Sequence, residues 1–365
     1  MHPLLNPVRS WQCVVGFPVT LGIALNGADV QASETATEDA AQAPVESVAL
    51  DLYSPPWSKE RANPVYPVQL LGEGKEGWVR LDFMVDPKGK PYEIAVSESM
   101  GDWRFEGAAV RALEKSTFEA ARVDGEPADA GHSMQYVFIL QGGPKGAGEW
   151  FVRAHRAVMR AIGEGDREKA EKRLASLEFH TRLSLYEDAY LHVAKFNYYA
   201  KWGDKHQQLR ALDRAVAHEF AEKHLPQELF TNCQRVRFKL LVETHDYERA
   251  IHTYYLLRGL ELEEPVLAAL ERVVERLESL RADGRAYAVP GDFGDRASWS
   301  YNLFKDEFLI QDVEGHIAEI KLRCRTDFVF FRFEPGIKYR VADKDNRCHL
   351  QLVGNPGTTF TLTQM

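Results

Sequence analysis

Glu76-Gly77-Trp78-Val79-Arg80-Leu81-Asp82-Phe83-Met84-Val85-Asp86-Pro87-Lys88-Gly89 is the stretch on which the fold turns. From Trp78 to Val85 apolar and polar side chains alternate, as in a strand with one buried face. Asp86-Pro87-Lys88-Gly89 supplies a turn and alternation resumes from Tyr92 to Glu98, so the spacing predicts a β-hairpin. Downstream, Phe105, Ala108, Ala109, Ala112 and Leu113 recur at helical spacing, and Gln135-Tyr136-Val137-Phe138-Ile139-Leu140 reads as a closing strand. The pattern predicts a small sheet with one packing helix over residues 57–142.

The chain on either side reads differently. Residues 147–284 are helical throughout, with three related segments: Gly165-Asp166-Arg167-Glu168-Lys169-Ala170, Gly203-Asp204-Lys205-His206-Gln207-Gln208 and His245-Asp246-Tyr247-Glu248-Arg249-Ala250. Each reads as a short turn between two helices, and the set resembles the middle of tetratricopeptide repeats in a degenerate form. His245 stands where the repeat has Gly, and Gln208 where it has a small residue. Stacked helical hairpins are the expectation, closed by an amphipathic helix opening at Glu264-Pro265. From Tyr287 the composition switches to short alternating runs, Ile317–Arg323, Phe328–Phe333, Cys348–Val353 and Thr358–Leu362, separated by Gly, Pro and Asp. These predict an antiparallel β domain over 287–365, a small sandwich or barrel. The fold class expected is therefore multidomain α+β: a small sheet with one packing helix, an α-helical hairpin solenoid and a C-terminal antiparallel β module.

A chain of 365 residues at 45% hydrophobic and 27% charged composition is that of a globular protein of two or three domains, excluding wholesale disorder and a multi-span membrane protein. A net charge of -9 offers no broad positive field for phosphate contacts, so nucleic acid is not expected as a partner. Residues 1–32 read as an export signal: Arg9, then an apolar run from Trp11 to Leu25, then the small-residue pattern Val30-Gln31-Ala32. Residues 33–56, rich in Ala, Glu, Thr and Gln as far as Val48, read as a flexible linker. In an exported chain Cys324 and Cys348, 24 positions apart, are expected to form a disulfide stabilising the tail by roughly 3 kcal/mol. Cys233 reads as a buried, inert thiol, and Cys13 leaves with the signal.

Residues 62–140 resemble the C-terminal domain of TonB, the periplasmic energy transducer of Gram-negative bacteria, through several motifs in order. Pro64-Val65-Tyr66-Pro67 stands where that family has its Tyr-Pro pair, and Glu76–Gly89 is similar to its Glu-Gly-x-Val-x-Val-x-Phe-x-Val-x-x-x-Gly hairpin. Ser97–Gly101 resembles its post-strand turn, and Phe105–Ala112 its packing helix. Phe118-Glu119-Ala120-Ala121 with Gly125-Glu126-Pro127 resembles the stretch before its last strand. The resemblance implies a sheet edge that binds an extended segment of a periplasmic or outer-membrane protein by strand addition, through Tyr66, Pro67, Gln135, Tyr136, Val137, Phe138, Ile139 and Leu140. A plain reading of Tyr66 is that it covers the sheet. A transducer also needs an inner-membrane helix and a long spacer, whereas here the linker has few prolines and a further 220 or so residues follow the TonB-like unit.

Other motifs carry less. Gly72-Glu73-Gly74-Lys75-Glu76-Gly77 satisfies a dinucleotide pattern but opens a strand where that chemistry needs a helix N-terminus. His218 and His224 are six apart, about 240° round a helix, so they do not share a zinc-binding face. Glu261-Leu262-Glu263-Glu264 reads as a solvated helix end, and Tyr198, Tyr199, Trp202, Tyr254 and Tyr255 as helix-packing aromatics. No metal site or cofactor is expected. The sequence-level expectation is a periplasmic, non-enzymatic binding adaptor. The alternative is an atypical energy transducer anchored in the inner membrane by residues 1–32 and supporting outer-membrane transport, and a third reading places an active site in the helical or β region.

Overall fold

A computed structural model describes residues 53–141, 146–179, 183–217, 224–341 and 347–365. The expected export segment, residues 33–52 of the expected linker, and His218 of the histidine pair lie outside the described residues. The hairpin is formed by β2 (Gly77–Val85) and β3 (Pro91–Ser99), and the turn between them is tied by Asp86, whose carboxylate accepts from the amides of Lys88 and Lys90. Val79, Leu81, Phe83 and Val85 take one face of β2 and pack with Phe105, Ala108, Ala109, Ala112 and Leu113 of α2 (Trp103–Leu113) in a single core. Period two meeting helical spacing makes this one layer of helix on one layer of sheet. Asp102 caps α2 by accepting from the Arg104 amide.

The closing strand β7 is Ala130–Phe138, and the sheet order is β3-β2-β7. It begins five residues before the Gln135 expected from the apolar run, because Gly131, His132 and Ser133 are polar or small and belong to a strand open on one side. Ile139 and Leu140 lie past its end. Elements too short for periodicity surround the sheet: β1 (Trp57–Glu60), α1 (Val68–Glu73), β4 (Thr117–Glu119), β5 (Ala121–Val123) and β6 (Glu126–Ala128). Residues at the end of the expected linker join this unit, with Ser54 bridging Arg122.

The helical region forms hairpins α3 (Glu149–Glu164) with α4 (Arg167–Glu178), α5 (Leu185–Trp202) with α6 (Lys205–Ala215) and α7 (Gln227–Glu243) with α8 (Tyr247–Arg258), followed by α9 (Glu264–Ala282). Their turns fall at the three related segments. Asp166 and Asp204 cap the second helix of their hairpins, Asp204 in a reciprocal box with Gln207. Gly165 ends α3 at φ 78, and His245 adopts φ 62 at the equivalent place. That conformation is strained for histidine. It is held from the C-terminal domain: His245 Nδ1 donates to the Ala288 carbonyl, and the Tyr301 hydroxyl donates to the His245 carbonyl.

The C-terminal region is a sandwich, not a barrel, of two four-stranded antiparallel sheets ordered β13-β10-β15-β8 and β12-β11-β14-β9. The strands are β8 (Tyr287–Asp292), β9 (Ser298–Asn302), β10 (Glu307–Glu314), β11 (Ile317–Arg323), β12 (Phe328–Arg332), β13 (Lys338–Arg340), β14 (His349–Gly354) and β15 (Thr359–Gln364). Phe308, Ile310, Phe360 and Leu362 from one sheet meet Ile320, Leu322, Leu350 and Leu352 from the other. Cys324 and Cys348 are disulfide-bonded, joining neighbouring strands β11 and β14 at the edge of that core. Cys233 is buried in the helical region.

Candidate functional site

A three-stranded sheet has two faces and two edges, and four things can happen to them. The first face carries α2. The second is covered by the later parts of the chain. Trp78, fully buried, packs with Leu185 and Ala217. Arg80 donates to the Ala217 carbonyl, and Arg214 donates to the Ser99 carbonyl while its guanidinium lies 5.4 Å from the centre of the Trp78 ring. Glu76 bridges the units through its two carboxylate oxygens, accepting from the amides of Leu140 and Leu185, each at 3.1 Å. Its charge sits at the N-terminus of α5, where the helix dipole favours an anion. Charge converges beside this seam: Arg80 pairs with Glu98, and Asp213 holds both Arg237 and Arg249. Burial raises the Glu98 pKa, Asp213 adds to the rise, and Arg80, Arg214 and Arg249 oppose it.

The two edges differ. Along β3 the pairing with β2 slips between Arg80 and Leu81 and again between Asp82 and Met84, and Glu93 takes a positive φ of 47°. Such bulges spoil an edge as a template. β7 pairs without a slip from Gly77↔Phe138 to Val85↔Ala130. Its outward groups follow from two bonds that leave the sheet: the Gly131 amide donates to the Arg325 carbonyl at 3.3 Å, and the Gln135 carbonyl accepts from Arg61 Nη2 at 2.6 Å. In an antiparallel ladder alternate residues share a side, so Gly131, Ser133, Gln135 and Val137 face outward while His132, Met134, Tyr136 and Phe138 bond to β2. This arrangement is suited to hydrogen-bonding an extended peptide.

The sequence-predicted residues fall into separate groups. Gln135 and Val137 present their backbone at the open edge. Tyr136 and Phe138, 1% and 2% exposed, place their side chains in the core and their backbone toward β2 instead of the open edge. Ile139 is half exposed, and Leu140 is drawn aside by Glu76. Tyr66 stacks edge-on to Phe105 and Phe138 at 5.7 and 5.6 Å and donates its hydroxyl to the Lys75 carbonyl. Burial lifts its phenol pKa to about 12, with the Glu76 carboxylate contributing. Tyr66 therefore closes the end of the core. Pro67 opens α1 and lines a shallow groove of 260 Å³ with Val68, Gln69, Trp103, Arg104 and Arg111. Arg61, Gly131 and Ser133, outside the expected set, also lie along this edge. Continuing the alternation back through His132 recovers Ser133 and Gly131, whereas nothing in the sequence signals Arg61.

Of the aromatics read as packing groups, Tyr198 and Tyr254 are buried, whereas Tyr255 is exposed at a groove it shares with Glu271, Glu275 and Glu278. Among the described residues no group of three or more His, Cys, Asp and Glu side chains is placed to hold a metal ion, and no helix is long and apolar enough to cross a membrane.

Comparison with curated proteins gave no match. Among solved structures, the Pseudomonas aeruginosa TonB C-terminal domain is 26% identical over a match covering 25% of this chain and 92% of that one, with a TM-score of 0.23. The TonB2 protein of Vibrio anguillarum is 29% identical, covering 30% of this chain and 100% of that one, with a TM-score of 0.19. Residues 62–140 match the family described as the Gram-negative bacterial TonB protein C-terminal, so this segment of the chain is similar to that domain.

Proposed function

We propose that the protein is a non-enzymatic adaptor of the Gram-negative cell envelope that captures an extended segment of a periplasmic or outer-membrane protein by adding it as a strand to β7. The observation that carries this reading is the contrast between the edges: β7 is unbulged along its whole length and β3 is not. The TonB-type match of residues 62–140 supports the envelope setting and a role in transport across it. The helical region supplies a second surface, with the groove beside Tyr255 as its open feature.

A photo-crosslinking amino acid at Ser133, introduced in a Gram-negative host, tests the capture. The expected adduct is with one extended segment of an envelope protein, lost when Gln135→Pro removes an outward amide without touching the β2 ladder. Adducts spread over unrelated proteins and unaffected by the proline overturn the reading. The same match favours a second reading, an energy transducer held in the inner membrane by residues 1–32. Membrane fractionation with N-terminal mass determination separates the two: a soluble chain starting at Ser33 rejects the transducer, and a membrane-bound chain starting at Met1 favours it.

A further inference from the structure

Resting on that reading, we propose that the β7 edge is gated by the chain itself: Arg61 is a latch that leaves before a strand can pair, and the disulfide-held turn after β11 is a fixed stop confining pairing to Ser133–Val137. At the N-terminal end of β7, the Gly131 amide is already bonded to the Arg325 carbonyl. A Cβ built on Gly131 would lie 2.8 Å from the Cys324 carbonyl oxygen, so the turn presses directly on the strand backbone. That turn is closed by the Cys324 amide donating to the Asp327 carbonyl, and covalently tied to β14 through Cys348. An incoming strand meets this backbone at position 131. At the other end β7 stops at Phe138, and Glu76 holds the Leu140 amide. Between the two lie the outward residues Ser133, Gln135 and Val137, a run of about 17 Å at ordinary strand rise.

Gln135 is the middle of that window, and its carbonyl is occupied by the Arg61 guanidinium, which also lies 5.0 Å from the centre of the Tyr136 ring. Arg61 is exposed and forms no ion pair with a carboxylate among the described residues, so one hydrogen bond and one ring contact hold it. An exposed attachment of that kind is weak and releasable. The stop differs because main chain and a covalent bond hold it. The edge therefore combines one movable cover with one immovable boundary.

The test uses the full exported chain and a displayed library of random decapeptides, with affinities measured on selected peptides and footprints read by amide exchange. Arg61→Ala is expected to bind the same peptides about three- to tenfold more tightly, because the central acceptor is freed. In the unaltered protein the footprint covers Ser133, Gln135 and Val137, and in Gly131→Ala, which forces the turn away, it extends to position 131. Unchanged or weaker binding by Arg61→Ala overturns the latch, and a footprint reaching Gly131 in the unaltered protein overturns the stop. If neither protein selects any peptide, the strand-capture reading falls and the gate with it. One arm needs no peptide: reducing the disulfide is expected to speed exchange of the Gly131 amide at least tenfold, and an unchanged rate overturns the disulfide's part whatever the library yields.

Discussion

Trp78→Ala measures how firmly the second face of the TonB-type sheet is covered by the rest of the chain. Trp78 is 0% exposed and touches Leu185 and Ala217, residues more than a hundred positions downstream. A buried aromatic of this size removes about 200 Å² from water, which at about 25 cal/mol per Å² is roughly 5 kcal/mol as an upper figure. Partial collapse of the site brings the expected loss to about 3–4 kcal/mol. Trp103, 75% exposed on the outer side of α2, is the internal control and should lose less than about 0.5 kcal/mol when changed to Ala. Trp78→Phe should fall between them. It keeps most of the apolar contact and removes an indole N–H that has no hydrogen-bond partner among the described residues. Urea unfolding followed by tryptophan-independent circular dichroism gives the three values, and limited proteolysis near residues 141–148 reports whether the units have separated. Equal, small losses at Trp78 and Trp103 would show that the second face is open to solvent and that the argument for a single remaining edge is unsound.

Three further outcomes follow from particular residues. His155 is 2% exposed, and burial lowers its pKa to about 4 from 6.5, so the unfolded chain takes up the proton first as pH falls. Its neutral form supports the fold fully above pH 6.5, and stability is lost progressively down to about pH 4 by roughly 3 kcal/mol in all, a slope that denaturation of His155→Phe should lack. Replacing both Cys324 and Cys348 by Ser should cost about 3 kcal/mol in chemical unfolding, confined to the sandwich, and a loss spread equally over the helical region would contradict the placement of the bond. Gly77→Ala places a Cβ 2.5 Å from the Phe105 ring, so it should destabilise the sheet by about 1–3 kcal/mol in thermal unfolding, and a neutral result would mean that α2 does not lie this close to β2.

Much of this architecture could be read from the chain because its signals are local. The hairpin is written in the alternation from Trp78 to Val85, and the helical turns in residues that end one helix and cap the next, as Gly165 and Asp166 do. Ile317–Arg323 is a strand over the expected span because its apolar residues face a core. What escaped is non-local or half-polar. β7 was read too short because an edge strand carries polar residues where a central one carries apolar ones. Tyr136 and Phe138 were grouped with Gln135 and Val137 because composition does not say which way a backbone faces. Arg61 has no sequence signature at all, since its bond to the Gln135 carbonyl spans 74 positions.

The remaining question is what the later domains do for the sheet. A TonB-type sheet with only α2 would expose Trp78, Met84 and a charged strip of Arg80 and Glu98 on its second face. Here Trp78 and Met84 are wholly buried, and Arg80 and Glu98 enter a charge cluster with Asp213, Arg214 and Arg249. The sandwich adds a pairing of Lys321 with Glu93 on the bulged strand and the stop at Gly131. These contacts fall on one face, where Val137 packs with Trp78, Leu185 and Ala217, and on two strand positions, and among the described residues Arg61 is the side chain bonded to the outward Gln135 carbonyl. Coverage of that kind narrows the ways a partner can approach, because a broad apolar face admits many partners while a short strand edge admits one geometry. On the strand-capture proposal, the helical region and the sandwich act on binding before any surface of their own is engaged. On that proposal they convert a sheet with several open sides into one with a single window, whose width is set by where Cys324 is tied.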